Sequence, residues 1–185
     1  MVTPRHLLLQ STRLALLAAC LGMATAAHAQ GHAHEHGAVK LDIAIDGNKV
    51  TLEMESPLDS LIGFERAPRT DAERKRADAA VARLKAADGL FSFDPAAGCT
   101  LANVELVSAP LKLGKAQPQA AGDEHADLDG DFAFDCKDTG KLGFIEVGLF
   151  KAFAGMQRID VQVAMPKGQL KRTLKRPASR IQLAR

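Results

Sequence analysis

The chain has no tryptophan and no tyrosine, eight phenylalanines, three cysteines and, beyond its first 29 residues, no long apolar run. Each shortage closes off a class of function. Without tryptophan or tyrosine there is little on which nucleobases could stack, and no nucleic-acid role is expected. No segment after residue 29 approaches the roughly 20 apolar residues that a membrane-spanning helix needs. Neither a Gly-x-Ser-x-Gly nucleophile turn nor a phosphate-binding glycine loop is present, and the body holds a single histidine, so the chain is not expected to be an enzyme.

The N-terminus carries Arg5 and Arg13, then an apolar stretch from Leu14 to Ala27 ending in Ala27-His28-Ala29. A basic start, a short apolar core and small residues at the cleavage positions make residues 1–29 a secretory signal peptide, with Gln30 as the first mature residue. Leu17-Ala18-Ala19-Cys20 also reads as a lipobox that would anchor Cys20 to lipid; the longer apolar core ending at Ala29 is the better fit. The remaining residues 30–185 suit one domain. Two cysteines survive in it, Cys99 and Cys136. An even count in an exported chain points to a disulfide, with a pair of thiolate ligands as the alternative.

Charge is unevenly placed. The formal total of +2 conceals seven basic residues and no acid from Lys167 onward, while residues 30–166 carry −7. A negative body concentrates cations near its surface, and the basic end can meet anionic lipid or lie on that body.

Hydropathy alternates from Ala38 to Ile45 and again from Lys49 to Ser56 across Asp46-Gly47-Asn48, which predicts a β-hairpin with Val39, Leu41, Ile43 and Ile45 facing a core. Leu58 to Phe64 is read as a short helical turn closed at Gly63. Thr70 and Glu73 have capping-box spacing ahead of Ala77, Ala80, Val81 and Leu84, predicting one long helix stopped by Gly89. Cys99 to Val107 reads as a strand of undefined register, and residues 110–124 as a flexible loop. Strands are expected over Leu142–Leu149, Gln157–Met165 and Leu170–Leu174, with a short helix at Phe150–Phe153. Together these give an α+β fold, a mainly antiparallel β-sheet with one long helix, in a single domain stapled by one disulfide.

Two segments carry chemistry. In residues 30–37, a histidine-rich lead-in to the first strand, His32, His34 and His36 recur at every second position, so an extended backbone presents their imidazoles on one face provided Gly37 does not break the register. In the second segment His125, Asp127, Asp129 and Asp131 share one parity while Leu128, Phe132, Phe134 and Cys136 share the other and face the core. Mixed imidazole and carboxylate ligation is ordinary zinc chemistry. A polar tail and a solvated strand face are the alternatives, and a calcium loop fits poorly because Gly130 sits at position four rather than six.

Several separated motifs resemble one family. His34-Glu35-His36-Gly37 before a strand, Ser56-Pro57, Leu61-Ile62-Gly63-Phe64-Glu65 with Ala67-Pro68, Gly98-Cys99-Thr100-Leu101, His125-Ala126-Asp127, Cys136, and the run from Leu149-Phe150 through Val161-Gln162-Val163 to Gly168-Gln169 together resemble the ZrgA-like family across nearly the whole mature chain. The resemblance implies a periplasmic zinc-binding protein of Gram-negative bacteria that supports zinc uptake. It implies zinc ligands at His34, Glu35, His36, His125 and Asp127, to which the alternation adds His32. Many relatives hold a long histidine-rich loop before the His-Ala-Asp motif; Gln117 to Glu124 contains no histidine, so fewer ligands are expected here.

The expected function is capture of Zn(II) in the periplasm and its delivery towards a zinc uptake transporter of the inner membrane. Two rivals stand beside it. A mature N-terminus Gln30-Gly31-His32 offers the amine, backbone nitrogens and imidazole that square-planar copper or nickel prefers. A non-metal envelope module would bind a partner through its sheet or its basic end.

Overall fold

The hairpin register is fixed by the turn at Gly47, which adopts a positive φ of 53° between β1 (Ala38–Asp46) and β2 (Lys49–Pro57). From Asp46 opposite Lys49, antiparallel pairing runs to Lys40 opposite Glu55. Val39, Leu41, Ile43 and Ile45 are buried from β1, and Val50, Leu52 and Met54 from β2, as the alternation required. These assignments come from a computed structural model that describes residues 35–115 and 126–183, all within one unit of the chain, His34–Arg185. The residues expected to form a signal peptide, with Cys20, His32, His34, His125 and most of the segment 110–124 expected to be a loop, lie outside the described residues.

The hairpin is the centre of a six-stranded sheet. β5 (Asp127–Asp135) pairs antiparallel with β2, and β4 (Thr100–Val107) with β5. β7 (Arg158–Met165) lies parallel to β1, and β8 (Gly168–Lys175) closes the other edge, giving the order β4-β5-β2-β1-β7-β8. The sheet is therefore mixed, with one parallel pairing among antiparallel ones. A bulge between Leu101 and Asn103 shifts the β4 register. That bulge is why alternation alone left the strand undefined.

Three shorter strands, β3 (Phe91–Phe93), β6 (Phe144–Val147) and β9 (Arg180–Gln182), form a second sheet in the order β3-β6-β9. Its aromatics pack on the large sheet: the Phe91 and Phe132 rings are 5.1 Å apart, and Phe93 and Phe134 4.6 Å. Gly130 has the same inward parity, and a Cβ there would come within 2.9 Å of the Phe132 ring, so glycine leaves room for the aromatic. Leu128, Phe132, Phe134 and Cys136 are all buried.

The helices are α1 (Leu58–Ile62), α2 (Asp71–Lys85) and α3 (Leu149–Ala152). α2 is the long helix that the periodicity predicts. Thr70 accepts from the Glu73 amide while the Glu73 carboxylate accepts from the Thr70 amide, and Ala77, Ala80 and Leu84 are buried. It ends at Lys85 rather than at Gly89, because residues Ala87–Gly89 tighten into a 3₁₀ turn. Cys99 and Cys136 are joined in a disulfide, which ties the start of β4 to the end of β5.

The basic C-terminal stretch is built into the sheets as β8 and β9. Arg180 Nε donates to Glu146 at 2.5 Å, and Arg176 donates to the carbonyls of Met156 and Phe153. On the face of the large sheet opposite the core, Glu105, Asp131, Glu53 and Asp42 stand in register across four adjacent strands. No helix among the described residues is long and apolar enough to cross a membrane.

Candidate metal centre

Hairpin geometry brings the first chemical group into place. The paired part of the hairpin ends at Lys40 opposite Glu55, and beyond it the turn that carries His36 precedes β1 while α1 follows β2, so both lie at the same open end of the hairpin. At that point β2 has passed through Pro57 into α1, whose first turn carries Asp59. The His36 Nδ1 lies 2.5 Å from Asp59 Oδ2 and 3.4 Å from Glu65 Oε1. Ligand atoms of His36, Asp59 and Glu65 all lie within 4.8 Å of one another.

Each of the three is held by local structure. The turn Glu35–Gly37 closes with the Ala38 amide donating to the Glu35 carbonyl at 2.9 Å. Gly37 has φ +77°, and a Cβ there would lie 2.9 Å from Gln157 Cγ, so both conformation and space call for glycine. Its carbonyl accepts from the amides of Gln157 and Arg158, fastening the turn to the start of β7. Asp59 rides on a five-residue helix anchored by buried Leu58, Leu61 and Ile62. Gly63, at φ +86°, caps that helix and donates to the Asp59 carbonyl, which reverses the chain and returns Glu65 beside Asp59.

Arg66, the residue after Glu65, ties this part of the chain to the start of α2. Its guanidinium makes two hydrogen bonds to Glu73, at 2.9 and 2.7 Å, and lies over the Phe64 ring at 5.0 Å. Arg66, together with the amides of Arg69 and Thr70, holds the Glu73 carboxyl down to about 2.

Electrostatically the site favours positive charge. The hydrogen bond to Asp59, then the charges of Asp59 and Glu65, raise the His36 pKa above its ordinary value. A divalent ion that took the proton's place would meet one imidazole nitrogen and two carboxylate oxygens. Ligand atoms at about 2.0 to 2.2 Å from a tetrahedral zinc lie roughly 3.3 Å from each other, close to the His36 to Glu65 separation and within a small side-chain rotation of the His36 to Asp59 one. The His36 side chain is 73% exposed, Asp59 22% and Glu65 38%, so the cluster opens to solvent. Three such donors would leave a fourth position of a tetrahedral ion open to solvent.

Of the residues singled out from sequence, His36 stands in the cluster. Glu35 turns away, its Oε2 accepting from Arg158 Nη1 at 2.7 Å, and Arg158 also donates to Asp160 at 2.9 Å. Asp127 sits at the start of β5 opposite Pro57, and its carbonyl accepts from the Ser108 hydroxyl at 2.7 Å. It does not join the His36 cluster. Gly37 breaks the register at the first strand, so the alternation that relates His32, His34 and His36 does not continue into β1. Asp59 and Glu65 were not singled out. The one signal for them was their place: Asp59 lies in the first turn of the short helix that follows β2 and Glu65 just after it, at the end of the hairpin where the chain before β1 also lies.

A family model described as ZrgA family zinc uptake protein matches residues 33–183. No curated protein matches the chain.

Proposed function

The chain belongs to the ZrgA family of zinc uptake proteins, and from that premise we propose that it captures Zn(II) in the periplasm through His36, Asp59 and Glu65 and passes it towards an inner-membrane uptake transporter, acting by binding and not by catalysis. The observation that carries this reading is the convergence of three ligand atoms within 4.8 Å on elements that fold for independent reasons. One neutral imidazole and two carboxylates suit zinc, and an exposed imidazole suits exchange. A metal must bind the neutral imidazole, so protons compete with it at His36 and binding strengthens as pH rises.

His32, His34 and His125 remain candidate further donors. The described chain resumes at Ala126, whose carbonyl accepts from the Leu58 amide beside Asp59, and His125 is the residue before it in sequence. Glu35 is assigned to the turn, through Arg158, rather than to the metal.

Metal competition on the chain from Gln30 tests this, with Zn²⁺ against Cu²⁺ and Ni²⁺ at neutral pH. The expected zinc affinity is micromolar or tighter, about 8 kcal/mol or more. His36→Ala, Asp59→Asn and Glu65→Gln should each weaken zinc by tenfold or more, and Glu35→Gln by far less. His125→Ala reports whether that imidazole adds a ligand. Zinc affinity unmoved by His36→Ala and Asp59→Asn would remove this site, and a copper-only response would favour the N-terminal Gln30-Gly31-His32 instead.

A further inference from the structure

A buried hydroxyl joins Asp59 to the turn that carries His36. Ser60, the third residue of α1, is 1% exposed, and its hydroxyl both accepts from the Gly37 amide at 3.1 Å and donates to Asp59 Oδ1 at 3.2 Å. Asp59 therefore divides its two oxygens: Oδ1 takes the Ser60 hydroxyl, and Oδ2 faces His36 Nδ1 at 2.5 Å. The same hydroxyl holds the amide that immediately follows His36. A hydroxyl has one proton to donate, and this one spends it on the ligand carboxylate while its lone pair receives the ligand-bearing turn.

We infer that Ser60 is the positioning residue of the metal site, setting the Asp59 carboxylate rotation and the His36 turn against each other through one buried hydroxyl; this rests on the reading of His36, Asp59 and Glu65 as zinc ligands. The packing around Ser60 is specific to that role. A Cβ on Gly155 would stand 2.6 Å from the Ser60 carbonyl oxygen, so the lead-in to β7 is pressed directly on the backbone of α1 at this residue. The Gly37 carbonyl accepts from the Gln157 amide at 2.7 Å, completing a junction of three chain segments with Ser60 at its centre. Groups that orient metal ligands without touching the metal typically change affinity ten- to a hundredfold when removed. With alanine at this position, Asp59 loses the contact to Oδ1 that turns Oδ2 towards the ring, and the Gly37 amide is left buried without that acceptor.

The test compares Ser60→Ala with Ile62→Val, which trims a buried side chain of the same helix and leaves the hydroxyl in place. Zinc affinity by competition, thermal midpoint and the visible absorption of the Co²⁺-loaded protein are measured on both. The expected result is a ten- to hundredfold loss of zinc affinity and a changed Co²⁺ band for Ser60→Ala, with Ile62→Val within about twofold of the parent. Should Ser60→Ala fail to fold, Ser60→Thr and Ser60→Val, which match each other in shape and differ in the hydroxyl, carry the same comparison: the threonine variant is expected to bind more tightly than the valine variant by tenfold or more. Parent-like affinity and Co²⁺ spectrum in Ser60→Ala, or equal affinity in the threonine and valine variants, would overturn the inference. His36→Ala and Asp59→Asn run alongside. If they bind zinc as the parent does, the metal site itself falls and Ser60's role with it; if they weaken while Ser60→Ala does not, only the role of Ser60 falls.

Discussion

In the proposed site the His36 imidazole would take either a proton or a metal, and this decides how the site would respond to pH. Asp59 and Glu65 raise its pKa, so in the metal-free protein the His36 to Asp59 ion pair contributes stability that is fully present below the ordinary imidazole value of 6.5 and is lost as pH rises through the raised one. Zinc affinity runs the other way, increasing with pH until the imidazole is deprotonated. Asp59→Asn removes the largest cause of the shift, so its His36 should titrate lower than in the parent protein by NMR; an unchanged titration would mean the carboxylate does not face the ring in solution. Gly37 is the other sensitive residue. At φ +77° and 2.9 Å from Gln157 Cγ for any added Cβ, Gly37→Ala should cost about 1–3 kcal/mol in chemical denaturation. At this scale the sequence was half legible. Imidazole chemistry marked His36, whereas nothing in the local pattern separates Asp59 and Glu65 from the other surface carboxylates, because their role comes from what the hairpin sets opposite them.

Elements were more legible than residues where their causes are local. The Asp-Gly turn and alternation define β1 and β2, and the capping box defines the start of α2; both are properties of a few neighbouring residues. The parallel contact of β1 with β7 joins strands more than 100 residues apart in sequence, and the three-residue strands of the second sheet are too short for periodicity to mark them. Capping in α2 gives two measurable consequences. Thr70→Ala should lower stability by about 1 kcal/mol. Glu73, held down to about 2 by Arg66 and the amides of Arg69 and Thr70, contributes stability that is present above its ordinary value of 4.5 and disappears as pH falls towards about 2. Glu73→Gln should therefore be less stable than the parent at pH 7, with the difference closing as unfolding is repeated down to about pH 2. A difference that persists at the acid end would show that the charge of Glu73 is not what anchors the segment. That segment carries Glu65, so the same variant should also weaken zinc slightly at neutral pH. Across the open sheet face, Glu105, Asp131, Glu53 and Asp42 face each other in one row, and like charges directly opposed are unfavourable. Glu53→Gln should raise the thermal midpoint by roughly 1–2 °C at low salt and by less at high salt.

Across the whole molecule, the large sheet keeps what stabilises it apart from what binds. The disulfide sits where Cys136 follows β5 and its amide donates to the Asn48 carbonyl, at the turn end of the β1–β2 hairpin. The cluster of His36, Asp59 and Glu65 sits at the opposite, open end, where β2 runs into α1 and β5 begins at Asp127. The nine residues of β5 span roughly 27 Å between those ends. Closing a loop with a sequence separation of 37 should contribute about 4 kcal/mol in the chain-entropy account. For a domain of this size that corresponds to a fall in the thermal midpoint of roughly 8–16 °C when both cysteines become serine. The ligands, however, are held by the Gly37, Ser60 and Gly63 contacts and by Arg66 on Glu73, none of which involves the bridge. The double-serine variant should thus unfold earlier yet, at 25 °C where it remains folded, bind zinc within about twofold of the parent. If zinc affinity instead falls in step with the midpoint, the two ends of the sheet are energetically coupled and the site depends on the sheet as a whole rather than on the junction of β1, α1 and β7.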